Sequence, residues 1–237
     1  MSRIDQVIEV CDPAPAKHYV VMILDRSGSM ESIATEARLA FNQQVEDSKA
    51  AAAADPRLNV EVCLVTFSTN VDKPEVWCEP INTAFLLTEE DYKPHGWTAL
   101  KDAIGFTIQG LLKEPDINDP RTTVLMTVIT DGQDNMSKEF VSNRLRSIIK
   151  QVQDTGRWTI TLEGSGIEIN DLVRETGLHE NNTMSFDAGA QAFSERTITR
   201  SRLNNRYYSV VSNALNKGGN LSVDRFNAPS TDDQDVK

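Results

Sequence analysis

The stretch YVVMILDRSGSM, residues 19–30, is apolar at every position up to Leu24 and then changes character at once. Asp25 ends the run, and two hydroxyls follow at alternate positions, Ser27 and Ser29, on either side of Gly28. A strand with one wet face alternates polar and apolar residues. A strand apolar on both faces belongs between two layers, as in a parallel sheet. Residues 19–24 are read as such a strand, and a carboxylate with two hydroxyls at its carboxyl end needs an explanation.

On either side of this strand, apolar runs and helical patterns alternate along the chain, the mark of an α/β fold with a largely parallel sheet. Ile33, Ala37, Phe41 and Val45 recur every four residues and predict a helix over 31–54, stopped by Asp55-Pro56. Valine-rich 59–67 is a second strand. Residues 71–81 form another, which Pro74 and Pro80 confine to an edge. Leu100, Ile104, Ile108 and Leu111 stripe a helix over 98–113, and TVLMTVIT, 123–130, is a further central strand. Ser137 offers a cap for the next helix, whose apolar face is Val141, Leu145, Ile148 and Val152. A strand at 158–162, a short helix at 169–176 ended by Gly177 and a short last strand at 184–186 follow. A long helical pattern then runs from about 191 to 216 and is closed by Gly218-Gly219.

The expected architecture is α/β: a Rossmann-like, doubly wound, mostly parallel sheet with one antiparallel edge strand, helices on both faces and a long C-terminal helix. The expected division is an N-terminal segment, 1–17, an α/β domain, 18–190, a helical extension, 191–227, and a disordered acidic tail, 228–237.

A net charge of −11 over 237 residues argues against general binding to phosphate backbones. Asp5 and Glu9 interrupt the N-terminal region where a signal peptide needs apolar residues, and no run is long enough to span a bilayer. Cys11, Cys63 and Cys78 are an odd set without metal-type spacing, and Cys63 reads as a small buried residue. The expected location is the reducing cytoplasm, without membrane or nucleic-acid partners.

Three segments place oxygen ligands at the ends of strands or the start of a helix. They are Asp25-x-Ser27-x-Ser29, Thr98 in HGWTAL, and Asp131 in VITDGQDN. Loops at the carboxyl ends of neighbouring strands converge on one crevice in a doubly wound sheet, so Asp25 and Asp131 can approach each other. Two carboxylates there repel and need compensation. A hard divalent cation provides it, and hydroxyls and carboxylates suit Mg²⁺, with Mn²⁺ or Ca²⁺ as alternatives. Gly28 is expected to allow a tight turn that lets Ser27 and Ser29 face the ion. The bland alternative is a strand end followed by a helix cap. His18, His95 and His179 stand in no triad-like motif, so neither serine has a base beside it.

Asp134 reads as a turn or cap residue, and Asp102 as either a support for Thr98 or part of a solvated helix face. His95 and Trp97 either contact a partner or pack in the loop. Arg196, Arg200, Arg202 and Arg206 are expected to pair with acidic surface rather than nucleic acid. Tyr207, Tyr208, Val211 and Leu215 form a stripe for the sheet or for an oligomer interface.

DRSGSM, the TAL of HGWTALKDAI, and VITDGQDN together resemble the three segments of the metal-ion-dependent adhesion site in von Willebrand factor A domains, in the same order. The resemblance covers roughly residues 18–190, and looser patterns after residue 157 are similar to intracellular bacterial and phage members. It implies a non-enzymatic protein-binding module. Ser27, Ser29 and Thr98 would hold the ion, Asp25 and Asp131 would act directly or through water, and a partner's Asp or Glu would complete the coordination. Host cytoplasm is implied if the chain is phage-encoded. The rivals are a metal-assisted, phosphatase-like hydrolase and a structural subunit of a bacterial or phage assembly, in one version with a AAA+ ATPase. Many members have Gly where this chain has Trp97, after Gly96, which leaves partner preference open.

Overall fold

The computed structural model describes residues 16–216, apart from 75, 132, 166–167, 180–181 and 187–189. Cys11, the paired glycines 218–219 and the acidic tail lie outside the described residues, as do the side chains of Glu195, Arg196 and Leu215.

Six strands form one sheet: β1 (Ala16–Asp25), β2 (Leu58–Phe67), β3 (Val76–Pro80), β4 (Thr123–Thr130), β5 (Trp158–Ser165) and β6 (Thr183–Phe186). Their order is β3-β2-β1-β4-β5-β6; every pairing is parallel except that of β3 with β2. The helices are α1 (Ala34–Ala54), α2 (Leu100–Leu111), α3 (Ser142–Gln153), α4 (Glu168–Thr176) and α5 (Ala190–Asn216). The doubly wound sheet with an antiparallel edge strand is the architecture expected from the sequence.

The unbroken apolar run of β1 is explained by two cores. Val20, Met22 and Leu24 pack toward α1 and α5, while Tyr19, Val21 and Ile23 pack toward α2, α3 and α4. A period of two on a doubly covered strand makes both halves of the alternation apolar.

Three local differences from the sequence reading have physical causes. Residues 28–33 form a 3₁₀ helix ahead of α1. The edge strand starts only at Val76, because Pro74 brings no N–H to a ladder. α3 starts at Ser142, with Val141 exposed at its N-cap, because the N–H groups of Lys138, Glu139 and Phe140 donate to the Asp102 carboxylate. Ser137 caps another helix: its hydroxyl accepts the Asp102 N–H in the first turn of α2.

α5 closes the first face with polar contacts as well as apolar ones. Tyr207, Tyr208 and Val211 belong to the core. Asn204 Nδ2 donates to Gln44 Oε1 at 2.7 Å and to Asp47 Oδ2 at 3.1 Å. Ser201 donates to Asp47, and the hydroxyls of Tyr208 and Ser48 lie 2.6 Å apart. Arg200 Nη1 sits 2.8 Å from Glu163 Oε2 on β5, with both side chains 3% exposed or less. Of the four arginines in the C-terminal helix, this one is therefore spent inside the molecule, while Arg202 is exposed.

Removing one member of a buried ion pair leaves the other charge uncompensated, typically at a cost of about 3–5 kcal/mol. Arg200→Ala should lower stability by about that much in urea unfolding, and Arg200→Met with Glu163→Gln should recover part of it. A single variant within about 0.5 kcal/mol of wild type would show that the pair is dispensable.

His18 on β1 is fully buried against the rings of Tyr207 and Tyr208, with centroids 5.2 and 5.3 Å away, and its Nδ1 hydrogen-bonds to Thr123 Oγ1. Burial drives the imidazole down to about 3. The unfolded chain takes up a proton near pH 6.5 that the folded chain refuses until about pH 3. Stability from this residue is thus present above pH 6.5 and lost as pH falls, by roughly 1.4 kcal/mol per unit. Between pH 6.5 and 5, wild type should lose about 2 kcal/mol more than His18→Gln. Parallel losses in the two proteins would assign the acid sensitivity to other groups.

Candidate metal centre

The sheet order reverses direction between β1 and β4, and a doubly wound sheet has its crevice at the carboxyl ends of the strands at this switch point. Asp25 is the last residue of β1, and Asp131 follows the last residue of β4. The switch point therefore gathers both carboxylates at one edge.

Backbone hydrogen bonds stitch three loops together there. His95 N–H donates to the Arg26 carbonyl at 2.7 Å, and Gly28 N–H to the Gly96 carbonyl at 3.1 Å. The N–H groups of Asn135 and Met136 both donate to the Thr98 carbonyl at 3.0 Å, and Thr98 N–H donates to Asn135 Oδ1 at 2.9 Å. The tight turn rests on Gly96, not on Gly28. Gly96 has φ +79, and a Cβ there would meet Thr69 Oγ1 at 2.6 Å. A Cβ on Gly28 would make ordinary contact, and its φ lies outside the left-handed region.

Within this frame the oxygens run in sequence. Ser27 Oγ and Ser29 Oγ are 3.1 Å apart, and Ser29 Oγ donates to Asp131 Oδ1 at 2.7 Å. Asp25 is fully buried; its carboxylate accepts the Ser27 N–H at 2.7 Å and the Thr130 hydroxyl at 2.6 Å. Thr98 is buried and held by its backbone in the adjoining loop; no hydrogen bond joins its side chain to the other four residues. The structure thus links Ser27, Ser29 and Asp131 in one chain, joins Asp25 to it through the Ser27 backbone, and places Thr98 beside them.

Burial pushes the Asp25 carboxyl up to about 6. The hydrogen bonds from Thr130 and Ser27 oppose that shift, and the charge of Asp131 adds to it. Burial raises Asp131 as well, against its bond from Ser29. Two carboxylates disfavoured as anions, beside hydroxyls and with neither sulfur nor imidazole in the chain of contacts, are a donor set that fits a hard divalent cation. Among the described residues no three His, Cys, Asp or Glu side chains gather around one point, so any ion here relies on the hydroxyls.

Three residues that support the centre, Thr130, Tyr92 and Asp72, are absent from the sequence reading. Thr130 had a local signal, since it directly precedes Asp131 on a strand end. The Tyr92 hydroxyl donates to the Asp25 carbonyl; burial and the two carboxylates raise its phenol, which stays protonated. Asp72 grips the Arg26 guanidinium with both oxygens, at 2.6 and 2.8 Å, and accepts the Thr66 hydroxyl. Neither Tyr92 nor Asp72 stands in a motif. Asp102, buried, braces the loop after Asp131 through three backbone N–H groups, and Asp134 caps α2 by accepting the Lys101 N–H at 3.3 Å. At the rim, Trp97 is 64% exposed, and His95 Nδ1 lies 3.4 Å from Arg26 Nη1. A pocket of about 840 Å³ lies beside the centre, its wall including Thr69, Asp72, Trp77 and Phe106.

No protein-family model matches the chain, and no curated protein matches it by sequence. Solved structures do. The pilus adhesin SpaC from Lactobacillus rhamnosus GG, in its open conformation, is similar with a TM-score of 0.59 at 12% identity over 83% of this chain and 31% of that one. Proximal thread matrix protein 1 from the mussel byssus gives 0.52 at 13% identity over 81% of this chain and 47% of that one. A von Willebrand factor type A protein from Catenulispora acidiphila gives 0.47 at 13% identity, over 81% and 43%. The chain spans less than half of each of these three. At such identities the likeness is one of fold alone: the neighbours above a TM-score of 0.5 share the doubly wound, mostly parallel α/β sheet of this chain.

An acid whose folded value is raised destabilises the folded state once the pH exceeds its unfolded value. A rise from about 3.9 to about 6 costs up to about 3 kcal/mol at neutral pH. In a chelating buffer at pH 7.5, Asp25→Asn should match or exceed wild type in urea unfolding, by up to about 3 kcal/mol, since Thr130 can reverse its hydroxyl to meet an amide. A clear loss of stability in the variant would count against carboxylate repulsion as a main energy of the site.

Proposed function

We propose that the chain is a metal-dependent protein-binding module whose partner contributes an Asp or Glu carboxylate to the site. The observation that carries this reading is the run of oxygens Ser27–Ser29–Asp131 beside the buried Asp25 at the switch point of the sheet. Ser27, Ser29 and Thr98 would hold Mg²⁺ through hydroxyls, with Asp25 and Asp131 direct or through water, and Mn²⁺ or Ca²⁺ are the alternatives. When bound, such a cation supplies electrophilic character toward one more anionic oxygen. The residues themselves orient the donors: Ser27 N–H and Thr130 fix the Asp25 carboxylate, Ser29 fixes Asp131, and the Asn135 bonds fix the Thr98 backbone.

Binding is favoured over hydrolysis by what surrounds the cup. Hydrolysis of a phosphate ester calls for a base, a second metal or a free cation that grips the substrate. Arg26 is clamped by Asp72, and Lys101 Nζ lies 2.8 Å from Glu175 Oε2. Exposed Trp97 at the rim suits contact with a protein surface, since Trp is enriched among residues that anchor interfaces. The net charge of −11 and the internal engagement of Arg200 speak against a nucleic-acid partner.

The test is calorimetric titration of Mg²⁺ and Mn²⁺ into chelator-stripped protein, alongside Asp25→Ala. One binding site is expected in wild type and none in the variant. A partner, once captured, should dissociate in excess EDTA and fail to bind Asp25→Ala, whose circular dichroism should remain that of wild type. Partner affinity unchanged by EDTA would sink the metal-dependent reading.

A further inference from the structure

Cys63 lies on β2, buried in the core under α2, and Cys78 lies on the edge strand β3. The pairing of these strands runs Glu61 with Pro80 and Val62 with Glu79, then resumes with Leu64 and Val76. Between those pairs one residue of β2, Cys63, faces two of β3, Trp77 and Cys78, which is the arrangement of a β-bulge. Cys78 takes φ +52, and it is the one residue other than glycine with positive φ among the described residues. Glycine is the usual occupant of such a conformation, because a Cβ is crowded there.

The consequence of the bulge is visible in the packing. Neighbours on a strand ordinarily point to opposite faces, yet Trp77 and Cys78 both pack against the same core cluster as Cys63. The two sulfurs are 3.4 Å apart, and the Cys78 N–H points at Cys63 Sγ from 3.2 Å. Both are free thiols. A disulfide needs its sulfurs at about 2.05 Å, so closure asks for a movement of about 1.4 Å, which small rotations of the two side chains can supply.

We propose that Cys63 and Cys78 are a reversible disulfide site that clamps the edge strand to the sheet under oxidising conditions. The oxidant class is a small-molecule disulfide. The thiolate of Cys78, the more exposed of the two, attacks one sulfur of the oxidant and expels the other as a thiolate, which takes up a proton. The sulfur of Cys63, giving up its own proton, then attacks Cys78 Sγ in the mixed disulfide and expels the second small thiol. Two protein thiols are oxidised to one disulfide, and one external disulfide is reduced to two thiols. The bond shared with Cys63 and partial burial both raise the Cys78 thiol, so closure accelerates as the pH rises. The clamp would also immobilise Trp77, whose Nε1 donates to Glu114 at 2.9 Å and whose ring borders the pocket beside the candidate metal centre.

The test uses the full chain in glutathione redox buffers at pH 8, read by intact mass and peptide mapping. Expected are a loss of about 2 Da, a cross-linked peptide pair containing Cys63 and Cys78, and a fall from three titratable thiols to one in denaturant. Dithiothreitol should reverse all three. The oxidised protein should melt about 5–10 °C higher, because the link closes a short loop in the unfolded chain. Cys11→Ser should behave the same way, and Cys78→Ala should show neither cross-link nor shift. The proposal is overturned if Cys11 accepts glutathione while no link between Cys63 and Cys78 forms. It is equally overturned if the link forms and lowers the melting temperature.

Discussion

Asp25 must keep a carboxylate inside a core that disfavours it. It ends a strand buried on both faces, has no solvent exposure, and shares its crevice with Asp131. Much of the surrounding architecture answers that constraint. Thr130 and the Ser27 N–H occupy its oxygens, Tyr92 ties its carbonyl, and Asp72 engages the guanidinium of the next residue, Arg26, in a bidentate pair. A bidentate guanidinium–carboxylate pair is geometrically demanding, so the first loop is fixed in position as well as in charge. A site that lowers the stability of its own fold is common where binding or chemistry is the purpose, because the favourable term arrives only with the ligand.

The same economy governs the loops. Thr98 is placed by backbone contacts rather than by its side chain, and the first turn of α2 is capped from a distant loop by Asp134 and Ser137. Asp102 returns the favour by holding three N–H groups of that loop. The segments carrying Thr98 and Asp131 are therefore one mechanical unit. A shift in either would be transmitted through these bonds rather than absorbed by slack chain.

What was legible in the sequence was what a short window encodes. The double-faced apolar run of β1, the period of the helices and the prolines of the edge strand each carry their own periodicity or steric rule, and the sheet follows from them. The clustering of Asp25, Ser27, Ser29, Thr98 and Asp131 at one sheet edge was legible because topology sends strand ends to the switch point. Tyr92 and Asp72 were not, since their roles depend on partners 67 and 46 residues away. Asp102 fits two readings in sequence for the same reason. Sequence alone points Ser137 to the nearer helix, whereas its hydroxyl serves the more distant one, because a local cap and a cap supplied across the fold look alike in sequence. Gly28 drew attention through its place between two serines, yet the steric demand falls on Gly96, where a neighbouring chain passes too close for a side chain.

The last helix has a bearing on how the protein is made. α5 covers the face of the sheet on which His18 and the first helix lie, and its bonds to Gln44 and Ser48 each bridge 160 residues. Contacts of such long range form late, after the loop entropy between them has been spent. During synthesis the sheet and α1 can therefore assemble before α5 docks, and the part of the first face that α5 covers stays open until then. Exposed strands and apolar side chains are what chaperones bind and what aggregates form from. For this chain, the interval between forming the sheet and docking α5 sets how long that part of the face is at risk.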